Sequence, residues 1–214
     1  NYIFKEKFYK KHNFNWGKYP NRSHLIQRVI DEKNYKSYLE IGCDDDVNYK
    51  NINIRKKTGV DPIQGGSIRM TSDDFFLNNN NFFDCIFIDG LHEYNQVKKD
   101  IKNSLKFLKD DGIIFLHDCL PRSLFEQAVP RSQHIWTGDV WKAIVEIRTH
   151  KNLDTCVCFI DMGLGIIIKR TNSNPISFIN QNFKKLKFSD YFYNYKNYMN
   201  VIKYEDIMKF IKNF

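Results

Sequence analysis

Hydrophobic residues recur along the chain in two alternating patterns. Short apolar runs are separated by stretches in which apolar residues stand three or four positions apart, as Val97, Ile101 and Leu105 do. Short runs are typical of buried strands, and the wider spacing is typical of amphipathic helices that connect them. The pattern therefore predicts an α/β fold with a parallel sheet, and its first strands are expected at 37–41, 57–60, 85–89 and 113–117.

The C-terminal half of the pattern predicts a different ending for the sheet. A helix with Asp139 as its N-cap is followed by two apolar runs, 155–161 and 164–170, which only Met162-Gly163 separates. So short a connection suits an antiparallel hairpin rather than a helical crossover. We predict a mostly parallel, seven-stranded sheet that ends in an antiparallel hairpin and has helices on both faces.

Polar and turn residues indicate where these elements begin and end. Ser23 stands where an N-cap of the first helix is expected, and Asp110–Gly112 form a turn signal after the helix that contains Val97. Residues 1–22 and 171–214 have a weaker pattern, with a terminal helix indicated at 201–214. We expect one domain over 1–214, with its core at about 23–170.

Composition restricts the kinds of partner without choosing one. The chain has 214 residues and a formal net charge of +8, so an anionic partner is conceivable, but the lysines are spread out rather than clustered, and nucleic acid is not our expectation. The five cysteines are odd in number and lie mostly in predicted strands, which indicates reduced core thiols. No apolar run approaches the roughly 20 residues that cross a bilayer, so we expect a cytoplasmic protein.

Ligands of an open parallel sheet bind beyond the carboxyl ends of its strands. Glu40 and Gly42 follow the first strand, and Asp61 ends the second, where an acid can accept hydrogen bonds from ribose hydroxyls. Three aspartates, 44–46, come next after Gly42 and Cys43 and would repel the pyrophosphate of a dinucleotide. A nucleoside cofactor that carries positive charge fits this loop better.

The segments YLEIGC and GVDP resemble the first two motifs of class I S-adenosylmethionine-dependent methyltransferases. The resemblance implies a Rossmann-like methyltransferase fold. It also implies that S-adenosylmethionine contacts the following residues: Glu40, Gly42, Cys43, Asp61, Asp89 and, near the adenine, Ser72 and Asp73. Asp44 and Asp46 depart from the family, which usually has glycine at these positions.

Acids and imidazoles follow the next two strands. Asp89 and His92 stand at or just after the end of the strand predicted at 85–89, and His117 and Asp118 stand at or just after the end of the strand predicted at 113–117. A single polar residue at a strand end is more often structural, but four that converge on one edge indicate a site for a divalent metal.

IDGLHEY and LHD resemble metal-dependent sugar O-methyltransferases of macrolide and polysaccharide pathways, with a capsular heptose O-methyltransferase domain as the nearest likeness. The resemblance implies that Asp89, His117 and Asp118 bind the metal and that His92 is the catalytic base, with a role as fourth ligand as the alternative. His117 stands where relatives commonly have an acid. An imidazole ligand favours Fe2+ or Mn2+ over Mg2+.

LPRS and WTGDVWKA resemble a lid and a helix of enzymes that modify nucleotide-linked sugars. Binding of a sugar nucleotide, such as a GDP-heptose, is therefore assigned to Arg122, Arg131, Trp141 and Lys142, with Trp136 nearby. Core packing is an equally weighted interpretation of Trp141. Methylation of a nucleic acid or a phenolic molecule, and a non-catalytic cofactor-binding scaffold, are the alternatives, and the oligomeric state stays open.

Overall fold

The computed structural model describes residues 6–178 and 182–212 and contains an eight-stranded sheet surrounded by seven α-helices within these ranges. The strands are β1 (Ser37–Ile41), β2 (Lys56–Asp61), β3 (Ile68–Arg69), β4 (Phe83–Ile88), β5 (Leu108–Leu116), β6 (Asp154–Cys158), β7 (Leu164–Ile168) and β8 (Val201–Ile202). The helices are α1 (Arg22–Glu32), α2 (Val47–Asn51), α3 (Ser72–Asn78), α4 (Tyr94–Phe107), α5 (Trp141–Ile147), α6 (Phe188–Met199) and α7 (Ile207–Lys212).

The strand order is β3-β2-β1-β4-β5-β7-β6-β8. Strands β1 to β5 pair in parallel, whereas β7 is inserted between β5 and β6 and runs antiparallel to both. The predicted Rossmann-like α/β fold with an antiparallel hairpin is confirmed. The predicted number of seven strands is wrong, because the short β8 adds an eighth strand parallel to β6.

Alternate residues of the central strands supply two hydrophobic cores, one on each face of the sheet. Leu39, Ile86 and Ile114 belong to one core, while their neighbours in the strands, Tyr38 and Phe87, belong to the other. This is the two-residue period of a strand that is covered on both faces. The first core packs against α3 to α6, and the second packs against α1 and α7.

Two predicted helix caps are corrected by the structure. Asn21, not Ser23, caps α1, since its side chain accepts a hydrogen bond from the backbone N–H of His24 while the Ser23 hydroxyl donates to Asn21. Asp139 does not cap α5. Its carboxylate instead accepts a 2.6 Å hydrogen bond from the backbone N–H of Tyr94 and thereby caps α4 from a distant part of the chain.

Segment boundaries differ from the pattern in two other places. Asp110–Gly112 do not form a turn, because β5 begins directly after α4 and includes them. The connection between β6 and β7 covers 159–163, and its last three residues, Asp161–Gly163, have positive φ values. It is therefore a longer hairpin loop than the expected two-residue turn.

The chain segments outside the predicted core pack against each other. Glu6 accepts hydrogen bonds from the first two backbone N–H groups of α6, and the ring of His12 is stacked between Phe14 and Phe192 at centroid distances of 4.5 and 4.2 Å. All five cysteines are free and buried. Within residues 6–178 and 182–212, no helix has the length and hydropathy that a bilayer crossing requires.

Candidate functional site

A cleft of about 800 Å³ opens at the carboxyl ends of β1, β2 and β4. Its walls are the loops that follow these strands, together with the first turns of α3 and α4. A volume of this size falls within the range of small-molecule sites, and the position is where an open parallel sheet binds its ligands. Of the residues predicted to bind the cofactor, all seven line this cleft: Glu40, Gly42, Cys43, Asp61, Ser72, Asp73 and Asp89.

Gly42 brings the loop after β1 into direct contact with the end of β4. Its φ is +84°, and a Cβ at this position would lie 2.2 Å from the carbonyl oxygen of Asp89 and 2.7 Å from the Cα of Gly90. Only glycine tolerates both the left-handed backbone and the close approach. The two loops therefore form one continuous floor of the cleft.

Asp61 organises the neighbouring wall. One of its carboxylate oxygens accepts hydrogen bonds from the backbone N–H groups of Cys43 and Asp44, and the other accepts from Ile63 and Gln64. Burial alone would raise the pKa of Asp61, but these four N–H donors outweigh it and lower the pKa. The carboxylate is charged and holds together the loops that follow β1 and β2.

The aspartates that replace the usual glycines are explained by the backbone. Asp44 and Asp46 have φ values of +44° and +65°, and aspartate is one of the few non-glycine residues that adopt this left-handed region readily. The Asp46 carboxylate also accepts a 2.6 Å hydrogen bond from the backbone N–H of Gly66. The loop thus keeps the left-handed conformation that glycine would allow.

Glu40 lies at the base of the cleft and is almost entirely buried. One of its oxygens accepts hydrogen bonds from the Tyr38 hydroxyl and from the Asn48 amide, at 2.5 and 2.8 Å. Burial nevertheless raises the pKa of Glu40 to about 7. This carboxyl group changes its charge near neutral pH.

A polar network at the far wall includes two residues that the sequence analysis missed. Ser72 donates a 2.7 Å hydrogen bond to Asp100, and the Gln96 amide lies within 3.2 Å of Ser72, Asp73 and Asp100. Burial raises the pKa of Asp100 to about 6. A signal existed, since Asp100 interrupts the apolar face of α4 three positions after Val97, where a charged residue is unexpected.

The residues predicted at the ends of β4 and β5 converge beside this floor. Asp89 Oδ1 lies 3.2 Å from His92 Nε2 and 3.2 Å from His117 Nδ1. Asp118 Oδ2 lies 3.1 Å from His92 Nδ1, and Asp118 Oδ1 lies 3.4 Å from His117 Nδ1. The four side chains thus form one cluster.

Backbone carbonyls determine which nitrogen of each imidazole carries a proton. His92 Nδ1 lies 3.2 Å from the carbonyl oxygen of Trp136, and His117 Nε2 lies 2.9 Å from that of Asp161. A carbonyl only accepts, so these two nitrogens donate. The other two nitrogens both face Asp89 Oδ1, and an ionised carboxylate cannot donate to them. The contact requires a cation, which is either a proton on each ring or a metal ion.

The electrostatics of the cluster agree with that requirement. Burial would lower the pKa of both imidazoles, but Asp89 and Asp118 outweigh it, so the pKa of His92 is raised and that of His117 lies well above its usual value. Burial would likewise raise the pKa of Asp89, yet the charge and hydrogen bonds of the two rings lower it. The pKa of Asp118 is raised by burial.

Asp89, His92 and Asp118 are suitable for holding a metal ion. Each offers a ligand atom, and these atoms lie within 4.8 Å of one another. Asp118 Oδ1 is buried without a hydrogen-bond partner among the described residues, and its backbone has a φ of +61°. Neighbouring ligand atoms about 2.1 Å from an octahedral ion are about 3 Å apart, and the 3.2 Å between Asp89 Oδ1 and His92 Nε2 is close to that value. His92, which the sequence analysis assigns as the base, belongs to this group of possible ligands. His117, which it assigns as a ligand, does not, although its Nδ1 lies 3.2 Å from Asp89 Oδ1 and 3.4 Å from Asp118 Oδ1.

Arg22 is a further cleft residue that the sequence analysis missed. It begins α1, lies 3.8 Å from Asp89 and forms a 3.0 Å ion pair with Asp161 in the loop between β6 and β7. No pattern in the sequence could have linked Arg22 to Asp161, because 139 positions separate them.

The residues predicted to bind the acceptor are divided between cleft, surface and core. Arg131 and Trp136 line the cleft, with the Trp136 ring stacked on His92 at 5.2 Å and the Arg131 guanidinium 5.7 Å from the Trp136 ring. Arg122 is instead paired with Glu126 and does not line it.

The structure contradicts acceptor contacts for Trp141 and Lys142. Trp141 is fully buried and packs against Tyr191, and Lys142 is 3% exposed and bound to Asp139 and the Lys184 carbonyl. Trp141 therefore belongs to the core, which was the alternative interpretation.

Comparison with protein families places the site in a known context. Residues 18–119, a little under half of the chain, match a family model described as a methyltransferase domain. The match extends from the residues before α1 to Cys119, and it includes all four residues of the cluster at the ends of β4 and β5: Asp89, His92, His117 and Asp118. A comparison with curated proteins finds no significant match.

Solved structures of methyltransferases share the fold. A Staphylococcus aureus protein assigned as a caffeoyl-CoA O-methyltransferase is 21% identical, with a TM-score of 0.52 over 69% of this chain and 82% of that one. A Podospora anserina methyltransferase bound to SAH is 15% identical (TM-score 0.52, coverage 72% and 81%), and a Klebsiella pneumoniae protein assigned as an O-methyltransferase is 12% identical (TM-score 0.53, coverage 76% and 83%). The chain has the Rossmann-like methyltransferase fold.

Proposed function

We propose that this protein transfers a methyl group from S-adenosylmethionine to a hydroxyl group of a small molecule, with the help of a divalent metal ion. One observation carries the proposal. The Gly42 turn, where the donor would bind, touches the backbone of Asp89, and the side chain of Asp89 belongs to the group of possible metal ligands. A methyl donor and a metal-bound hydroxyl would therefore be neighbours.

The cleft residues are suited to the charge and the hydrogen-bonding groups of the donor. Asp61 follows β2, where an acid can accept from the ribose hydroxyls, and its four backbone donors keep it charged. Asp73 and Asp100, linked by Gln96, offer acceptors to an adenine amino group. Acidic walls favour a ligand with a sulfonium and an ammonium group over a nucleotide diphosphate at the same place.

Asp89, His92 and Asp118 would hold the metal ion. When bound, such an ion lowers the pKa of a coordinated hydroxyl and fixes its orientation. The imidazole ligand and the adjacent His117 favour Fe2+ or Mn2+ over Mg2+. The carbonyl groups of Trp136 and Asp161 orient the two rings from outside the ligand group.

The acceptor side of the cleft is assigned to Trp136 and Arg131. The Trp136 ring stacks on His92, and Arg131 lies beyond it, so a ring-shaped acceptor could lie along the indole while its hydroxyl reaches the cluster. A nucleotide-linked sugar, methylated for capsule or other polysaccharide biosynthesis in the cytoplasm, is the acceptor that we propose. A phenolic acceptor is included in the test because of the Staphylococcus aureus protein.

The test combines donor binding with methyl transfer. Calorimetry with S-adenosylmethionine and S-adenosylhomocysteine should give saturable binding, and mass spectrometry should detect methylated product from a panel of sugar nucleotides and phenolic thioesters. Chelation should abolish turnover, and Fe2+ or Mn2+ should restore it. The proposal is wrong if the protein does not bind the donor, and its metal-dependent part is wrong if turnover survives chelation.

His92→Ala separates the two roles of that residue, with His150→Ala, an exposed imidazole of the same chain, as control. If His92 is a ligand, Mn2+ affinity measured by electron paramagnetic resonance should fall by at least about 10- to 100-fold, since loss of an outer partner of a metal ligand already costs that much. If it is only the base, turnover falls while Mn2+ affinity is unchanged.

A further inference from the structure

Arg22 is held in the cleft by one edge of its guanidinium group. Its Nη1 donates a 3.0 Å hydrogen bond to Asp161 Oδ2, and its own backbone N–H donates to the same oxygen at 2.9 Å. Because Asp161 lies in the loop between β6 and β7, the contact joins the start of α1 to that loop. The orientation of the guanidinium is thereby fixed before any ligand binds.

The other edge of the guanidinium has no hydrogen-bond partner. Arg22 Nε is buried and unpaired among the described residues, and Nη2 lies 3.8 Å from Asp89 Oδ2, which is beyond hydrogen-bonding distance. Nε–H and Nη2–H are the parallel donors of the arginine fork that binds carboxylate or phosphate through two hydrogen bonds. A buried, unpaired donor costs free energy, so a ligand that satisfies it gains affinity.

The charge of the surrounding cleft makes this edge distinctive. Seven of the described residues that line the cleft are acidic, and its two arginines are Arg22 and Arg131. Arg131 is exposed and donates to the carbonyl groups of Gln133 and His134. Most of the cleft would therefore repel an anionic group, and the two guanidinium groups are the places where such a group could bind. Of the two, Arg22 is the one with an unpaired edge, although Asp89 and Asp161 lie beside it.

We propose that the Nε/Nη2 edge of Arg22 binds an oxyanion inside the cleft, namely the carboxylate of the methionine part of the donor. This inference rests on the proposed function. The donor carries an ammonium, a sulfonium and one carboxylate, and the acidic walls accommodate the first two groups but not the third. Arg22 lies next to Asp89, whose backbone touches the Gly42 turn at which the donor would bind. Asp161 acts as its positioning residue.

A cycle of ligands and variants tests the inference. Calorimetry would compare S-adenosylhomocysteine with its decarboxylated analogue, in the wild type, Arg22→Gln and Arg22→Lys. Arg28→Gln, a variant at an exposed arginine of the same helix, is the control. Arg22→Gln should bind S-adenosylhomocysteine about 10- to 100-fold more weakly, as expected for loss of a charge-assisted bidentate contact. Its affinity for the decarboxylated analogue should equal that of the wild type, which also shows that the variant is folded.

Arg22→Lys should recover only part of the affinity, because an ammonium group lacks the fork. A second source of the oxyanion is the acceptor. If the acceptor supplies the oxyanion, S-adenosylhomocysteine would bind equally to the wild type and to Arg22→Gln. Inorganic phosphate, titrated by 31P NMR in the presence of S-adenosylhomocysteine, would then bind to the wild type but not to Arg22→Gln. If neither ligand distinguishes Arg22→Gln from the wild type, the inference is wrong. Failure of the wild type to bind S-adenosylhomocysteine would refute the proposed function, and the phosphate titration would still decide the role of Arg22.

Discussion

Gly42→Ala is the substitution with the most specific expected effect on this site. The new Cβ would lie 2.2 Å from the carbonyl oxygen of Asp89 and 2.5 Å from its carbonyl carbon. Both atoms belong to the backbone, so the overlap cannot be relieved by a side-chain rotation. The end of β4 must move away from the loop after β1.

The size of the effect follows from two terms. An alanine with a φ of +84° costs about 1–2 kcal/mol relative to glycine. A shift of about 1 Å is needed to restore normal contact, and it would stretch the 3.2 Å contacts of Asp89 with His92 and His117 beyond hydrogen-bonding distance. Losing one charge-assisted contact costs about 1.5–3 kcal/mol. We expect the free energy of unfolding to fall by about 2.5–5 kcal/mol, the sum of the two terms.

Gly90→Ala is the matched control, because a Cβ there meets no atom closer than 3.5 Å. It should change the free energy of unfolding, measured by urea denaturation, by no more than about 0.5 kcal/mol. Calorimetry should show that Gly42→Ala loses at least about tenfold in affinity for S-adenosylhomocysteine, the equivalent of 1.4 kcal/mol. If Gly42→Ala is as stable as Gly90→Ala and binds the ligand within about twofold of the wild type, the close approach of the two loops is not what shapes the site.

Three further predictions concern charge and stability. Burial lowers the pKa of His12 to about 4, so on acidification the unfolded chain binds a proton at a higher pH than the folded protein does. The free energy of unfolding should therefore fall by about 1 kcal/mol between pH 6.5 and 5, a value already reduced by half because the ring is partly exposed. Urea denaturation should show this loss in the wild type but not in His12→Phe. The pH dependence that Glu40 contributes has the opposite sign, because burial raises the pKa of this carboxyl group to about 7. The free energy of unfolding should fall by about 2 kcal/mol as the pH rises from 5 to 7, and the loss should be smaller in Glu40→Gln. Asp139→Ala should cost about 2–5 kcal/mol in thermal or urea denaturation, since it removes the cap of α4 and a partner of the buried Lys142, whereas Asp139→Asn should cost less. Asparagine keeps an oxygen that can accept from the Tyr94 N–H and loses only the charge, so equal losses in the two Asp139 variants would contradict the assigned cap.

Features of the fold that depend on a local period could be predicted from the sequence. The predicted bounds of β1 and β4 lie within two residues of the observed ones, because both strands are buried on both faces and most of their residues are apolar. The two-residue strands β3 and β8 are too short to have a period. Asp110–Gly112 resemble a turn, yet they lie within β5, whose pairing with β4 shifts register between Phe83 and Cys85. Pairing across the sheet decided this region, and local composition could not reveal it.

Positions at strand ends were predictable, but the roles of side chains there were not. Parallel strands deliver their carboxyl ends to one edge, so the meeting of Asp89 with His117 and Asp118 follows from topology. Trp141 and Lys142 were misassigned because a tryptophan and a lysine near a lid motif suggest a binding surface. In the structure, α5 turns both side chains into the interior, where Tyr191 and Asp139 receive them.

The two histidines show most directly what the third dimension adds. In sequence, His92 and His117 are equivalent imidazoles at neighbouring strand ends, and nothing local distinguishes a base from a ligand. In the structure, each has one nitrogen bound to a backbone carbonyl, from Trp136 and from Asp161, and each turns its other nitrogen toward Asp89. Both carbonyls belong to irregular segments far along the chain. The loops after β5 and β6 thus determine the protonation of rings that β4 and β5 carry, and a change in either loop should alter metal affinity without altering a single ligand.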